Sequence, residues 1–555
     1  MNVKLLALAI FLITLGEVYG QADELEHAVM GDVDLRSGYG RVWTSIYGVE
    51  LVSLPSYNDT LQQLIDNAVD GDTIELQPGW YISDQNSSGF LVEIDKNLTL
   101  KGQGMVIIDG RRLRSALAIG KSNPQVKVKL SNIKLINCKG ETGAAILNHG
   151  KMLILDDCLL GNNIAYNGSS IYNKYGEVWI NDSLVTNNFA MHDGTVVNEG
   201  GKLIVENSTF SQNIASMGSG ISSKGAVLRK DSYDLQKIRE EYRNDFGSGM
   251  QVIVRNCTIS YNRGDTGGAI SNEGGSLIID STSFESNRGS GGAIYAFNCP
   301  LIATGCKILN SKMADNCFNA GIGASVFIFG QNALIENCSL LDNEAMVENL
   351  HETCGTGGGI YASESNVTVD NCDIRRNKAF YGGGINVFKG NLIVNGGIIS
   401  DNVAKSIKLP ERITLTSVSL SKCTETDCER VDLTDSIPDT IGGDGGGIFI
   451  IGNATLNDVT IERNYAARKG GAIYIDEGSQ IRLDGKVTII DNQAKEKGGA
   501  IYNRGTLDLR NAIISNNCAK EGGGIFIEPL GNQVGNTGLA TNNTPDNIYS
   551  PAEVE

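Results

Sequence analysis

Between Ile461 and Ile525 the chain repeats one short phrase nearly three times. The phrase is apolar-x-x-Asn, a short polar link, a Gly-Gly pair, a small residue and Ile. Its Asn stand at 464, 492 and 517, and its closing Ile at 473, 501 and 525, intervals of 28 and 24 residues. A period near 25, carried by short apolar runs with glycine punctuation, belongs to a solenoid, in which each repeat packs only on its neighbours. That excludes an ordinary globular arrangement for this stretch.

The closing residue of Gly-x-x-Ile/Val recurs at Ile146, Ile171, Val197, Ile221, Ile270, Ile294, Val326, Ile360, Ile385, Ile448, Ile473, Ile501 and Ile525. Between these points lie strands of four to six residues, such as Leu98–Leu100, Val106–Ile108, Val126–Leu130, Leu153–Leu155 and Val178–Ile180. About 25 residues make three such strands and three turns, one coil. Stacked coils pair each strand in parallel with its equivalent about 4.8 Å away, so some sixteen coils form a rod of about 75 Å. The Ile or Val points inward, where burial contributes about 25 cal/mol per Å². Glycine serves sharp turns with φ > 0. The Asn lies in a turn and hydrogen-bonds to the next coil. All three roles are structural.

The rest of the chain fits this frame. Residues 1–20 read as a secretory signal: Lys4, an apolar run from Leu5 to Leu15, then Val18-Tyr19-Gly20. That run is too short for a membrane anchor, and no later run approaches the roughly 20 apolar residues of a spanning helix. Residues 21–57 are unassigned. In 58–76, Asn58 and Asp59 cap a predicted helix with Leu61, Leu64, Ile65 and Ala68 on one face, stopped by Asp70-Gly71-Asp72 before a strand at Thr73–Leu76. Such a helix suits the open end of a stack. The β-helix is expected over 58–545, with a tail at 546–555. A net charge of −18 without basic clusters argues against nucleic acid. Export agrees with Asn-x-Ser/Thr sequons at Asn58, Asn86, Asn97, Asn167, Asn181, Asn207, Asn256, Asn337, Asn366, Asn453 and Asn542.

Two motifs alternate in register: Gly-Gly-Ala-Ile at 267–270, 291–294, 470–473 and 498–501, and Phe/Ile/Leu-x-x-Asn closing at Asn213, Asn262, Asn287, Asn343, Asn377, Asn402 and Asn464. Over roughly residues 60–550 the chain resembles the polymorphic outer membrane proteins. The 58–76 segment is similar to the entry of pectate-lyase-like parallel β-helices. The resemblance implies an all-β, right-handed, single-stranded parallel β-helix with an N-terminal capping helix and loop insertions. It also implies a surface adhesin. Autotransporter members continue into a membrane barrel, which this sequence does not contain, so their outer-membrane location does not carry over.

Four coils carry extra residues: 226–249, and about 311–322, 344–356 and 403–444. The first includes "DSYDLQKIREEYRND", with Leu235, Ile238 and Tyr242 on one face of a predicted helix. The other three share the turn between the Asn and Gly-Gly sites, so they should protrude from one side of the rod. Loops there present a binding surface or reflect tolerated drift. Cys158, Cys257, Cys306, Cys338 and Cys372 share one repeat position and read as an inward stack. Cys423 and Cys428 are a disulfide candidate in one insertion, Cys317 and Cys354 another across adjacent coils, and Cys299 with Cys306 a local pair.

Catalytic motifs are sparse. Asp156-Asp157 and His192-Asp193 read as ordinary turns. His27, His149 and His351 are isolated, and Ile108–Leu113 ("IDGRRL") is similar to a structural coil of the β-helix enzymes. No metal spacing or cofactor motif appears. The leading expectation is a secreted or cell-surface, adhesin-like β-helix, non-enzymatic, with a glycan or protein ligand on a cell surface or matrix. The alternative is a polysaccharide lyase, hydrolase or epimerase, which requires acidic residues, Arg or Lys and aromatics together on one sheet. Bland Asn, Ser and Thr ladders favour the adhesin. An ice-binding solenoid would need flat Thr rows, and none is present.

Overall fold

The computed structural model describes residues 54–82, 89–225, 251–313, 325–348, 353–408, 419–424, 427–432, 440–535 and 540–551. The chain divides into two compact units, Met1–Ser56 and Tyr57–Glu555. The signal-peptide reading and His27 lie outside the described residues.

Unit two is a right-handed parallel β-solenoid of about 16 coils. One inward column runs through Ile146, Ile171, Val196, Ile221, Ile270, Ile294, Val326, Ile360, Ile385, Ile448, Ile473, Ile501 and Ile525, each 0% exposed and each in register with the next. Burying one such side chain contributes about 1.5–3 kcal/mol. A second column passes through Leu153, Val178, Leu203, Val252, Leu277 and Leu301, and a third through Leu160, Val185, Phe210, Ile259, Phe284 and Ile308. The three columns meet in one continuous core.

The glycines that precede the first column leave no room for a side chain. Gly267 has φ +62°, and a Cβ there would lie 2.6 Å from the Ile270 carbonyl oxygen. A Cβ on Gly268 would lie 2.3 Å from the Gly292 carbonyl oxygen of the next coil. Coil stacking at this corner therefore demands the Gly-Gly pair.

Several sequence expectations change. The column residue near 197 is Val196, 25 residues after Ile171 and 25 before Ile221; Asp193 stands in the place of Gly168 and Gly218, so the Gly194-x-x-Val197 match is one residue out of register. The helix spans Thr60–Asn67 and buries Leu61 and Ile65, but Leu64 is 37% exposed and Ala68 is already extended. Asp59 is the N-cap residue, yet it adopts φ 52° and its side chain caps nothing. Leu98–Leu100 and Val106–Ile108 belong to one strand, Leu98–Asp109, that turns a corner. The strand expected at Val126–Leu130 runs over Lys127–Ile136. At the far end Ile548–Tyr549 pairs with Ile525–Phe526 as the last rung.

Candidate functional site

The turn that carries three insertions is built on an asparagine ladder. Asn163, Asn188, Asn213, Asn262 and Asn287 form one run, and Asn343, Asn377, Asn402, Asn464, Asn492, Asn517 and Asn543 another. Each is at most 7% exposed. Ser311 stands between the runs. Its backbone N–H still donates to Asn343 Oδ1 at 2.9 Å, but its hydroxyl is buried without a hydrogen-bond partner. The first insertion begins at this break.

The second insertion starts as an antiparallel pair, Val347–Glu348 with Thr353–Cys354. The third leaves the rod through a stem, Ser406–Lys408 against Thr440–Gly442, and carries a hairpin, Ser419–Thr424 against Asp427–Asp432. These insertions follow Ser311, Asn343 and Asn402, rungs of one ladder, so they share one edge. The insertion at 226–250 lies outside the described residues.

The stem of the third insertion rests on a charged cluster. Asp444 is 3% exposed; its Oδ2 lies 3.2 Å from Arg468 Nη2, and its Oδ1 makes no hydrogen bond. Burial raises its carboxyl to about 6, against the pull of Arg468 and Lys469. Arg468 Nη1 donates to the Thr440 carbonyl at 3.1 Å, and Gly442 N–H donates to the Tyr381 hydroxyl at 3.1 Å. Lys469 Nζ donates to the Tyr502 hydroxyl at 2.9 Å and lies 4.5 Å from that ring's centre. The Tyr502 hydroxyl donates in turn to Glu528. Arg504 pairs with Asp476 at 2.6 Å and Glu477 at 3.2 Å. Acidic, basic and aromatic side chains thus gather on one sheet.

A second buried aspartate occupies the matching place, just before the glycine turn, nearer the N-terminus. Asp193 is 7% exposed, with Lys224 Nζ 2.8 Å and His192 Nδ1 3.3 Å from its Oδ1. His192 stacks on Tyr166 at 5.8 Å, and both are exposed, beside exposed Phe189 and Met191. The sequence reading took His192-Asp193 for a plain turn. It missed the burial of Asp193, because only the register shows that Lys224 of the following coil folds back over it.

Outward from the first column runs an aromatic ladder: Phe449, Tyr474, Tyr502, Phe526 and Tyr549, with ring centres 4.6–5.5 Å apart. Tyr295, Phe327 and Tyr361 form another. Each interior ring spends its faces on its neighbours, and Tyr474, Tyr502 and Phe526 are at most 8% exposed. The interior rings therefore offer no open face to a sugar ring.

Cys158, Cys257, Cys306, Cys338 and Cys372 are buried, as the repeat position required. Cys306 N–H donates to Cys338 Sγ at 3.3 Å and Cys338 N–H to Cys372 Sγ at 3.4 Å, while Ser183, Ser208 and Thr282 take the same place in other coils. A cleft of about 260 Å³ opens where Gly397 replaces the next rung. Cys299 and Cys306 are not joined: both are free, and their thiols face the Asn272 and Ile279 carbonyls. Burial pushes the Cys299 thiol up to about 12. Cys317 lies outside the described residues, as do the side chains of Cys354, Cys423 and Cys428; the backbone register sets Cys423 directly opposite Cys428.

Among the sequons, Asn207, Asn256 and Asn337 occupy left-handed turns at φ 49–52°, all exposed. Asn366 and Asn453 are exposed rungs bonded through Asn391. Asn97 and Asn181 donate to Asp70 and Asp156, and Asn167 accepts from the Asp193 N–H. Asn58 and Asn542 are exposed at the two ends, and Asn86 lies outside the described residues. Asp156 pairs with Lys129 at 3.0 Å, and Asp157 turns at φ 53°. In the 108–113 segment Asp109 accepts the Arg111 N–H at 2.8 Å, a turn contact. His149 is exposed, and His351 lies outside the described residues. Among the described residues no group of three or more His, Cys, Asp or Glu is arranged to hold a metal, and no helix is long and apolar enough to cross a membrane.

Comparison with known families agrees with this architecture. The family of the right handed beta helix region matches residues 243–414. The Chlamydia polymorphic membrane protein repeat matches residues 458–476 and 486–504, within the stretch whose repetition is plainest. No curated protein matches the chain. The chain is a right-handed parallel β-helix in which residues 458–476 and 486–504 are similar to the polymorphic membrane protein repeat.

Proposed function

We propose that this is a surface-associated, adhesin-like β-helix that presents its insertions to a glycan or protein ligand on a cell surface or matrix. The observation that carries the reading is the division of labour at the ladder turn. The repeated polar residues there bond to one another from coil to coil, and the three insertions leave from that edge. A stiff rod with loops on one edge holds binding residues in fixed relation, which lowers the ordering cost of binding. The test is binding of the purified chain to arrays of glycans and matrix proteins. A variant with residues 409–439 replaced by a short Gly-Ser link should keep its melting temperature and lose ligand. Undiminished binding by that variant would place recognition elsewhere.

One observation favours a second reading, a polysaccharide-active enzyme. Asp444, with a raised carboxyl, sits among Arg468, Lys469, Tyr474 and Tyr502 on one sheet. Most polar atoms of that cluster are already matched within it, which supports a structural latch for the stem. Release of unsaturated or reducing sugar from a polysaccharide panel, abolished by Asp444→Asn, would favour the enzyme.

A further inference from the structure

Tyr166 and His192 stand on adjacent coils at the asparagine-ladder edge, ahead of the coils that carry insertions there. The strands Ile164–Asn167 and Phe189–Ala190 pair in parallel, with Ala165 and Ala190 turned inward and buried. Alternation then turns Tyr166, Phe189 and Met191 outward, and they are 49%, 42% and 44% exposed. The His192 side chain beside them is 47% exposed. Backbone bonds lock the two segments together: the Phe189, Met191 and His192 N–H groups donate to the Asn163, Ala165 and Tyr166 carbonyls at 2.9–3.0 Å. The Tyr166 and His192 rings lie parallel within 5°, centres 5.8 Å apart. Unlike the longer aromatic ladders, this stack ends after two rings. Glu141 takes the place of Tyr166 one coil earlier, and Ser216 and Met217 follow on the next coil. His192 Nδ1 faces Asp193 at 3.3 Å, and Lys224 holds that carboxylate at 2.8 Å, which leaves Nε2 as the ring nitrogen open to a ligand.

We infer that Tyr166, Phe189, Met191 and His192 form a binding site for a neutral glycan on the rod itself. Exposed aromatic and apolar side chains held in a fixed group mark a recognition surface, and the size of this one selects the occupant. It covers one coil step along the rod, about 4.8 Å, and three residues across it, about 10 Å. That is a small fraction of the roughly 800 Å² each partner gives to a stable protein interface. It matches one or two sugar rings. The chemistry agrees: the aromatic and thioether surfaces take the apolar face of a sugar, while the Tyr166 hydroxyl and His192 Nε2 supply polar edges for its hydroxyls. Charge narrows the class. Asp193 and Lys224 are spent on each other, and Glu141 on the preceding coil is exposed, so the surroundings disfavour an anionic glycan. The inference adds a site to the adhesin-like reading and does not depend on the insertions.

The test is binding of the full chain to an array of neutral gluco-, manno-, galacto- and xylo-oligosaccharides, with uronate and sulfated glycans as controls. At least one neutral oligosaccharide should bind, and Tyr166→Ala with Phe189→Ala should weaken it by about tenfold or more. The variant with residues 409–439 replaced should bind that sugar unchanged, which separates this site from the insertions. A diazirine derivative of the bound oligosaccharide, applied to the unaltered chain, should label the peptide segments holding Tyr166 and Phe189–His192. Binding of anionic glycans alone, of no glycan, or labelling confined to other segments overturns the inference. So does equal affinity in the double variant at an unchanged melting temperature.

Discussion

Asn377 and Asn402, one coil apart, share two hydrogen bonds: Asn402 Oδ1 accepts both the Asn377 backbone N–H and its Nδ2 at 3.0 Å. Asn377 Nδ2 also donates to the Leu340 carbonyl at 2.9 Å, and its Oδ1 accepts both N–H groups of Asn343. Every polar group of a 0% exposed amide is satisfied, and every bond but one is to another rung.

Asn377→Ala should therefore strand buried donors on Asn343 and a buried carbonyl on Leu340. Each orphaned group costs about 1–3 kcal/mol, so the expected loss is 3 kcal/mol or more, at the high end for a single substitution. Asn391→Ala, in the exposed ladder on the neighbouring sheet, should cost about 0.5 kcal/mol. Denaturant midpoints of the two variants provide the comparison, and equal losses would show that burial of the ladder contributes nothing.

The period, the inward Ile column and the turn Asn were legible because each is a single residue type at a fixed spacing. The outward-facing row of Ile204, Ile253, Ile278 and Ile302 was not. Leu203-Ile204-Val205 and its equivalents are unbroken apolar runs, and without alternation a strand does not show which residue faces out. Asp193 and Asp444 were hidden for a different reason. Their burial depends on Lys224 and Arg468 from the following coil, and sequence shows such neighbours only once register is known. Val196 displaced Val197 because Asp193 replaces the first glycine of that turn, and counting from Gly194 instead moves the reading by one residue and exchanges the strand's faces.

Thiol chemistry should separate the cysteines of the rod. Cys138, Cys158, Cys257, Cys299, Cys306, Cys338 and Cys372 are buried, and burial raises the Cys158 and Cys257 thiols to about 11. Cys518 is the one exposed free cysteine among the described residues. A maleimide applied to the native chain should modify Cys518 rapidly and the other seven only after denaturation. Mass mapping checks this; early labelling of Cys338 or Cys372 would mean that the neighbouring cleft admits the reagent.

The hairpin register sets Cys423 directly opposite Cys428. Directly opposed residues on antiparallel strands have Cα atoms about 4.5–5.5 Å apart, within the range a disulfide spans. Under oxidising conditions a Cys423–Cys428 bond is expected. Non-reducing peptide mapping should recover the two residues in one linked peptide, 2 Da lighter than its reduced form (about two hydrogens). Two free thiols at these positions would refute the pairing.

Asp444 gives the rod an acid-side dependence of unusual sign. Its carboxyl titrates near 6 in the fold, against an ordinary value of 3.8, because burial outweighs Arg468 and Lys469. The folded state thus holds the proton more tightly than the unfolded chain. Its contribution is fully present below about pH 4 and is lost as pH rises through about 6. A shift of about two units corresponds to roughly 3 kcal/mol at most, concentrated in the neighbouring coils and the stem at Ser406–Lys408. Asp444→Asn removes the titration while keeping the shape. The variant should match the wild type near pH 4 and gain on it between pH 5 and 7. Hydrogen exchange at Ile441 and Gly442 across this window reads the effect locally. A variant whose advantage is the same at pH 4 and pH 7 would show that ionisation of Asp444 plays no part in holding the stem.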